Sequence, residues 1–189
     1  AAGEARVLAY MGHVQDQAAA AVRQVLSRLA DGEARVQLDA GPEIVVRLLL
    51  DRAAQRARID FSGTSPQIAG NLNAPLAITK AVVLYVFRTL VRESIPLNAG
   101  CFDPLALVVP EGCLLNPRPP AAVVAGNVET SQAVANALFA AVGALAASQG
   151  TMNNLSFGNA HCQYYETVYG GTGAGDGFAG ADAVQSHMT

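Results

Sequence analysis

The stretch "EIVVRLLLDRAAQRARIDF" (Glu43–Phe61) constrains this chain more tightly than any other. Its first part, Glu43–Leu50, is a continuous β-branched and aliphatic run. Its second alternates cleanly, with Ala57, Ile59 and Phe61 on one face and Arg56, Arg58 and Asp60 on the other. A period of two is the signature of a half-buried strand, and a short polar link ("DRAAQ") joins the runs. The segment predicts an antiparallel pair of strands, which must bury one face against something else in the chain.

The neighbouring segments supply that cover. From Glu4 to Leu29, Val7, Met11, Val14, Ala18, Val22, Val25 and Leu29 recur at steps of three and four, one stripe of an amphipathic helix closed by Asp31–Gly32. His13 and Asp16 flank that stripe and read as a satisfied or solvated pair. "SGTSPQIAGNLNAP" (Ser62–Pro75) is rich in turn formers and ends in a helix start, with Asn73 as cap and Pro75 in the first turn. Leu76–Glu93 is then apolar nearly all round, which predicts a buried helix. Proline-punctuated connections surround a short strand, Leu105–Val109. The segment from Val123 to Gly150 reads as a strand, a turn at Gly126–Asn127 and a long alanine-rich helix, with Asn127 as its cap and Glu129 in its first turn. "NNLSFG", "QYYETVY" and "DAVQSHM" are short strand candidates between glycine-rich loops. The expected fold class is α+β, with helices packed on a largely antiparallel sheet, in one compact unit spanning residues 1–189 without internal boundary.

Composition excludes several classes of function. Half the residues are hydrophobic (51%) and 14% are charged, so the chain can bury a core and is not of the disordered type. No window of 18 uncharged apolar residues exists, and no membrane partner is expected. The net charge of −3 gives no basic footprint for nucleic acid. Low charge predicts a surface partly buried against other domains or subunits. Cys101, Cys113 and Cys162 are odd in number and lack a C-x-x-C, so reduced thiols in a cytoplasmic protein are expected. No signal peptide is legible, and both ends read as cut from a larger domain.

"GDGFAG" (Gly175, Gly177, Gly180) spells G-x-G-x-x-G, but its context is wrong for a dinucleotide turn. The preceding strand ends five residues early, and the sequence after Gly180 is β-like rather than helical. The loop serves either as backbone lining for a substrate or as plain surface. Lys80 is the only lysine and no G-x-x-x-x-G-K-[ST] occurs, so ATP is not held by a P-loop here. What stands out is an excess of neutral amides and hydroxyls in apolar surroundings: Asn71 and Asn73; Asn127, Thr130, Ser131 and Gln132; Gln149, Asn153 and Asn154. Buried unpaired amides are costly, so these groups either satisfy loop backbone or line a polar pocket. His187 reads as an ordinary histidine, with a metal ligand or an acid–base group as the alternatives.

The segments "AYMGHVQDQA", "DFSGTSPQIAGNLNAP", "IPLNAGC", "VVPEGCLLNPRPPAAVVAGNVETSQ", "ASQGTMNNLSFGNAH" and "YYETVYGGTGAG", with "SHMT" at the end, together resemble the hydantoinase B family. The "GNAH…YYETVYGGTGAG" variant is similar to its 5-oxoprolinase branch. The resemblance implies a middle-to-late portion of a hydantoinase B domain. In that family ATP and Mg act on an actin-like, hydantoinase A-type partner domain, which phosphorylates a lactam or imide carbonyl, and the B part completes ring hydrolysis. Related carboxylases use the same pair to activate ketones; a non-catalytic scaffold piece is the remaining alternative. The family's metal-associated stretch has no counterpart here, so ligands for a divalent metal are expected outside this chain, which alone should be inactive. A homo- or hetero-oligomer and a small cyclic amide substrate are implied. Carried onto this sequence, the resemblance makes Asn127, Thr130, Asn153, Asn154 and Tyr165 substrate-binding candidates. It makes Glu129, Glu166 and His187 candidates for water activation or proton transfer.

Overall fold

The computed structural model describes residues 3–96, 98–148, 153–168 and 170–182. The predicted strand pair forms as β2 (Glu43–Asp51) and β3 (Arg56–Asp60), antiparallel, with Leu48 opposite Ile59 and Leu50 opposite Ala57. Ala57, Ile59 and Phe61 are buried, as their alternation requires. β2 also follows the period of two: Ile44, Val46 and Leu48 face the core, while Leu49 is 47% exposed. Val45 points the other way yet is buried against the turn at Gly63, and the Thr64 hydroxyl beside it accepts from the Val45 N–H and donates to its carbonyl oxygen, both at 3.1 Å.

A further strand, β1 (Gly32–Gln37), pairs antiparallel with the other edge of β2. The Asp31–Gly32 helix stop concealed it: "GEARVQ" alternates, but its core-side residues are small and only half-buried. β4 (Leu105–Val108) adds parallel to β3, completing a sheet of order β1-β2-β3-β4. The sheet's outer face carries Glu33, Arg35, Glu43, Arg47, Arg58 and Asp60 in an ion-pair lattice, including Arg47–Glu33 at 2.9 Å and Arg58–Asp60 at 2.9 Å. The Arg47 guanidinium bonded to Glu33 holds that carboxyl below its ordinary range.

Three helices cover the apolar side. α1 (Glu4–Leu26) buries Ala18, Val22, Val25 and Leu26, but the first half of its stripe is uncovered, with Val7 47% and Met11 57% exposed. α2 (Leu76–Thr89) buries Val83, Val86 and Phe87. It is not buried all round as its composition predicts: Tyr85 is 58% exposed, because α3 covers only one flank. Asn73 does not cap it. Pro75 is the capping residue, and Asn73 is fully buried, spending its amide on loop backbone.

The strand expected before α3 is absent. The chain instead enters through a π-helical turn, Gly126–Thr130, and continues as α3 (Ser131–Ala141) across β1 and β2. The N–H groups of Val128, Glu129 and Thr130 all donate to the Ala125 carbonyl oxygen, so Asn127 lies within the wide turn rather than capping the helix. The turn presses against residues 73–74 so closely that a Cβ at Gly126 would stand 2.3 Å from the Asn73 carbonyl oxygen. β5 (Asn153–Gly158) and β6 (Gln163–Val168) form a separate antiparallel hairpin. The third candidate, "DAVQSHM", falls almost entirely outside the described residues.

Candidate functional site: a neutral cleft between two helices

The amides of the sequence sort into two groups. Most are spent on backbone. Asn73 accepts from the Ile68 N–H and donates to the carbonyl oxygens of Ile68, Gly70 and Ala122, each at 2.9 Å. Asn98 caps the short 3₁₀ turn Ala99–Phe102, Asn116 donates to Val109, and Asn159 closes the β5–β6 turn by accepting from His161 and Cys162. Thr130 is fully buried and donates to the Leu72 carbonyl oxygen, tying the π turn to the loop before α2.

The second group is unspent. Asn127, Ser131 and Gln132 make no side-chain hydrogen bond among the described residues. All three line a cleft of about 660 Å³ between α2 and α3. That volume falls within the range of small-molecule sites, about 300–1,000 Å³. The α2 wall presents Ala81, Val82 and Tyr85; Tyr85 meets Phe139 of α3 edge to face, with ring centroids 6.4 Å apart.

The third wall is the glycine loop, through Gly171, Thr172 and Gly173. Ala146 N–H donates to the Ala174 carbonyl oxygen at 2.7 Å, and a Cβ on Gly173 would stand 1.9 Å from the Ala146 carbonyl oxygen. The loop therefore approaches the segment after α3 at a distance only glycine allows. Its "GDGFAG" part folds as a tight turn, Gly175 bridging Phe178 with Gly177 at φ +78°. Neither a strand immediately before it nor a helix after it occurs among the described residues, so it is not a dinucleotide turn.

Among the described residues, no side chain lining the cleft is charged. Lys80 lies on α2 but does not line it. The phosphates of ATP are commonly held by cations, and none lines the cleft among the described residues. Among the described residues no group of three or more His, Cys, Asp and Glu side chains could hold a metal ion.

The remaining predicted residues lie elsewhere. Glu129 is exposed on the π turn and does not line the cleft. Asn153 and Asn154 open β5, opposite Val168 and Thr167. Tyr165 and Glu166 are exposed on β6. The pleat sets them on opposite faces, Glu166 sharing its face with Leu155, Phe157 and Tyr164. Tyr164 donates its hydroxyl to the Glu166 carboxylate, and that bond pushes the phenol upward from its ordinary pKa. Phe157 and Tyr164 stack at 4.9 Å between ring centroids. His187 lies outside the described residues. Cys101 and Cys113 are buried free thiols, with burial raising the Cys113 pKa, and Cys162 is exposed. No helix among the described residues is long and apolar enough to cross a membrane.

Ser131 and Gln132 belong to the amide clusters but not to the substrate-binding candidates of the sequence. Ser131 lies one helical turn before Ala135 and two before Phe139, and this shared lining face becomes visible only when α2 is laid beside α3.

Comparison with known proteins follows the same outline. The protein-family model described as hydantoinase B/oxoprolinase matches residues 1–189. The chain is 45% identical over 192 residues to a 5-oxoprolinase of Dictyostelium discoideum, covering 97% of this chain and 15% of that protein. It is 43% identical over 203 residues to 5-oxoprolinase 1 of Arabidopsis thaliana, covering 99% of this chain and 16% of that one. It thus spans about a sixth of the length of these relatives. Among solved structures, the ATP-dependent caprolactamase of Pseudomonas jessenii superposes with a TM-score of 0.68 at 19% identity, over 96% of this chain and 35% of that one, which establishes a shared fold.

Proposed function

This chain belongs to the hydantoinase B/oxoprolinase family, and we propose that it is the middle-to-late part of the hydrolytic half of an ATP-dependent cyclic amide hydrolase. The observation that carries this reading is the α2–α3 cleft, where unspent neutral amide and hydroxyl groups meet an apolar wall with no charge among the described lining residues. Such a lining suits a small, polar, uncharged ring. A ring amide is a poor electrophile, and phosphorylation of its oxygen turns that oxygen into a leaving group. ATP and Mg belong to a hydantoinase A-type partner domain in this reading, which the family resemblance supports.

The chain's own residues hold the ring, orient it and exclude bulk water. Asn127 lines the cleft and contacts the substrate, with Asn153, Asn154 and Tyr165 approaching it in the assembled enzyme; Thr130 acts by holding the π turn. Glu129 and Glu166, with His187, supply the proton transfers of water attack. Both glutamates are exposed, as groups must be that complete a site with neighbouring parts of a larger protein.

The test is ATP-dependent glutamate release from 5-oxoproline by the intact protein containing this chain, with and without bicarbonate. Release without bicarbonate supports the reading. ATP turnover appearing only with a hydantoin or another lactam keeps the reaction and changes the substrate. Bicarbonate-dependent turnover of a ketone, or no turnover with any of these, overturns it.

A further inference from the structure

We propose that the α2–α3 cleft is a charge-free seat for the amide edge of the ring, read by the side-chain carboxamide of Gln132. This rests on the cyclic-amide reading above and adds the recognising residue and the chemistry it selects.

A lactam is locked in the cis form, so its N–H and C=O point out along one edge. A primary carboxamide presents the complementary pair along one edge of its own, N–H beside C=O. The two close into a flat ring of two hydrogen bonds, which neither a hydroxyl nor a carboxylate reproduces. Gln132 is the residue placed to do this. It lines the cleft from the first turn of α3, is half-buried, and makes no hydrogen bond among the described residues. Asn136, the other carboxamide of α3 on this side, is not available, because both its amide atoms are engaged with Ser148. Ser131 and Asn127 flank Gln132 with one further hydroxyl and amide.

The rest of the lining fixes what the seat rejects. Tyr85, Phe139 and Leu145 offer apolar surface to ring methylenes. A carboxylate or ammonium group would lose hydration there without a counter-charge, which is strongly unfavourable. The seat therefore takes the ring before its oxygen is phosphorylated, while that edge still carries N–H and C=O, and any carboxylate the substrate carries must project out of the cleft.

The experiment uses the intact protein and three probes: 2-pyrrolidinone, its N-methyl derivative, which lacks the N–H, and pyrrolidine, which lacks the carbonyl and is cationic. Binding is measured by calorimetry without ATP. The wild type should bind 2-pyrrolidinone about tenfold more tightly than the N-methyl derivative, the loss of one hydrogen bond to a desolvated partner, and pyrrolidine not measurably. Gln132→Leu should erase the preference between the two lactams while leaving the melting temperature unchanged, and Gln132→Met repeats the test should the branched side chain disturb α3. A preference that persists in both folded variants, or a wild type that binds no neutral lactam, overturns the proposal. The two readings fail separately: ring hydrolysis with a KM unmoved by Gln132→Leu removes the seat and keeps the reaction, whereas Gln132-dependent lactam binding without any ring opening keeps the seat and removes the reaction.

Discussion

Asn136 and Ser148 are joined at both ends of the asparagine amide: Nδ2 donates to the Ser148 carbonyl oxygen at 2.9 Å and Oδ1 accepts from the Ser148 N–H at 3.2 Å. Both residues line the cleft, so this pair closes the segment after α3 back onto the helix and shapes one end of the wall. Asn136→Ala strands two backbone groups that are part-buried. It should cost about 1–3 kcal/mol of stability. Hydrogen exchange provides the local check, with the Ser148 amide exchanging faster while the amides of β2 keep their protection.

Gly126 makes the closest approach that positions Asn127. Gly126→Ala would bring its Cβ to 2.3 Å from the Asn73 carbonyl oxygen and 2.7 Å from the Ala74 Cα, both backbone atoms that cannot swing away. We expect about 3 kcal/mol of destabilisation, read as a fall in melting temperature. An unchanged melting temperature would mean that the π turn does not pack on residues 73–74.

Asp60 predicts a pH dependence. Its carboxylate accepts from the Ser62 N–H at 2.8 Å and from the Arg58 guanidinium at 2.9 Å. The Ser62 hydroxyl foremost, with that N–H and the guanidinium, holds the carboxyl below its ordinary range. A depressed folded pKa means that the stabilisation is complete above the unfolded value, ~3.9, and is lost as the pH falls through the folded value beneath it. Asp60→Asn should therefore lower stability at neutral pH and flatten the acid limb of the stability curve. Chemical denaturation of wild type and variant from pH 7 down to the acid transition measures both effects.

Glu166 tests the catalytic assignment. In the intact enzyme Glu166→Gln should lower kcat by about 10²–10⁴, and His187→Ala should lower it as well. The Glu166 side chain is exposed, so its melting temperature should not move. Turnover near the wild-type rate in both variants removes these roles, and a loss of oligomer or of stability instead would mark the hairpin as an assembly element.

Local patterning was enough to read the strand pair Glu43–Phe61, the helices at the front and middle of the chain, and the family motifs, because hydrophobic period and turn residues act over a few positions. The α+β class followed from them. Tertiary structure alone decided which amides are spent and which are free. Asn73, Asn127 and Asn136 are the same residue type, the first two in similar polar clusters and the third in an alanine-rich run. One is sealed onto four backbone groups, one is pinned to Ser148, and one faces an open cleft, depending on what stands opposite. The π turn and the glycine loop's role as cleft wall share that origin. Each depends on a contact across dozens of residues, such as Gly126 on Asn73 or Gly173 on Ala146, and no short-range pattern carries the distance between two backbones that meet only in the fold.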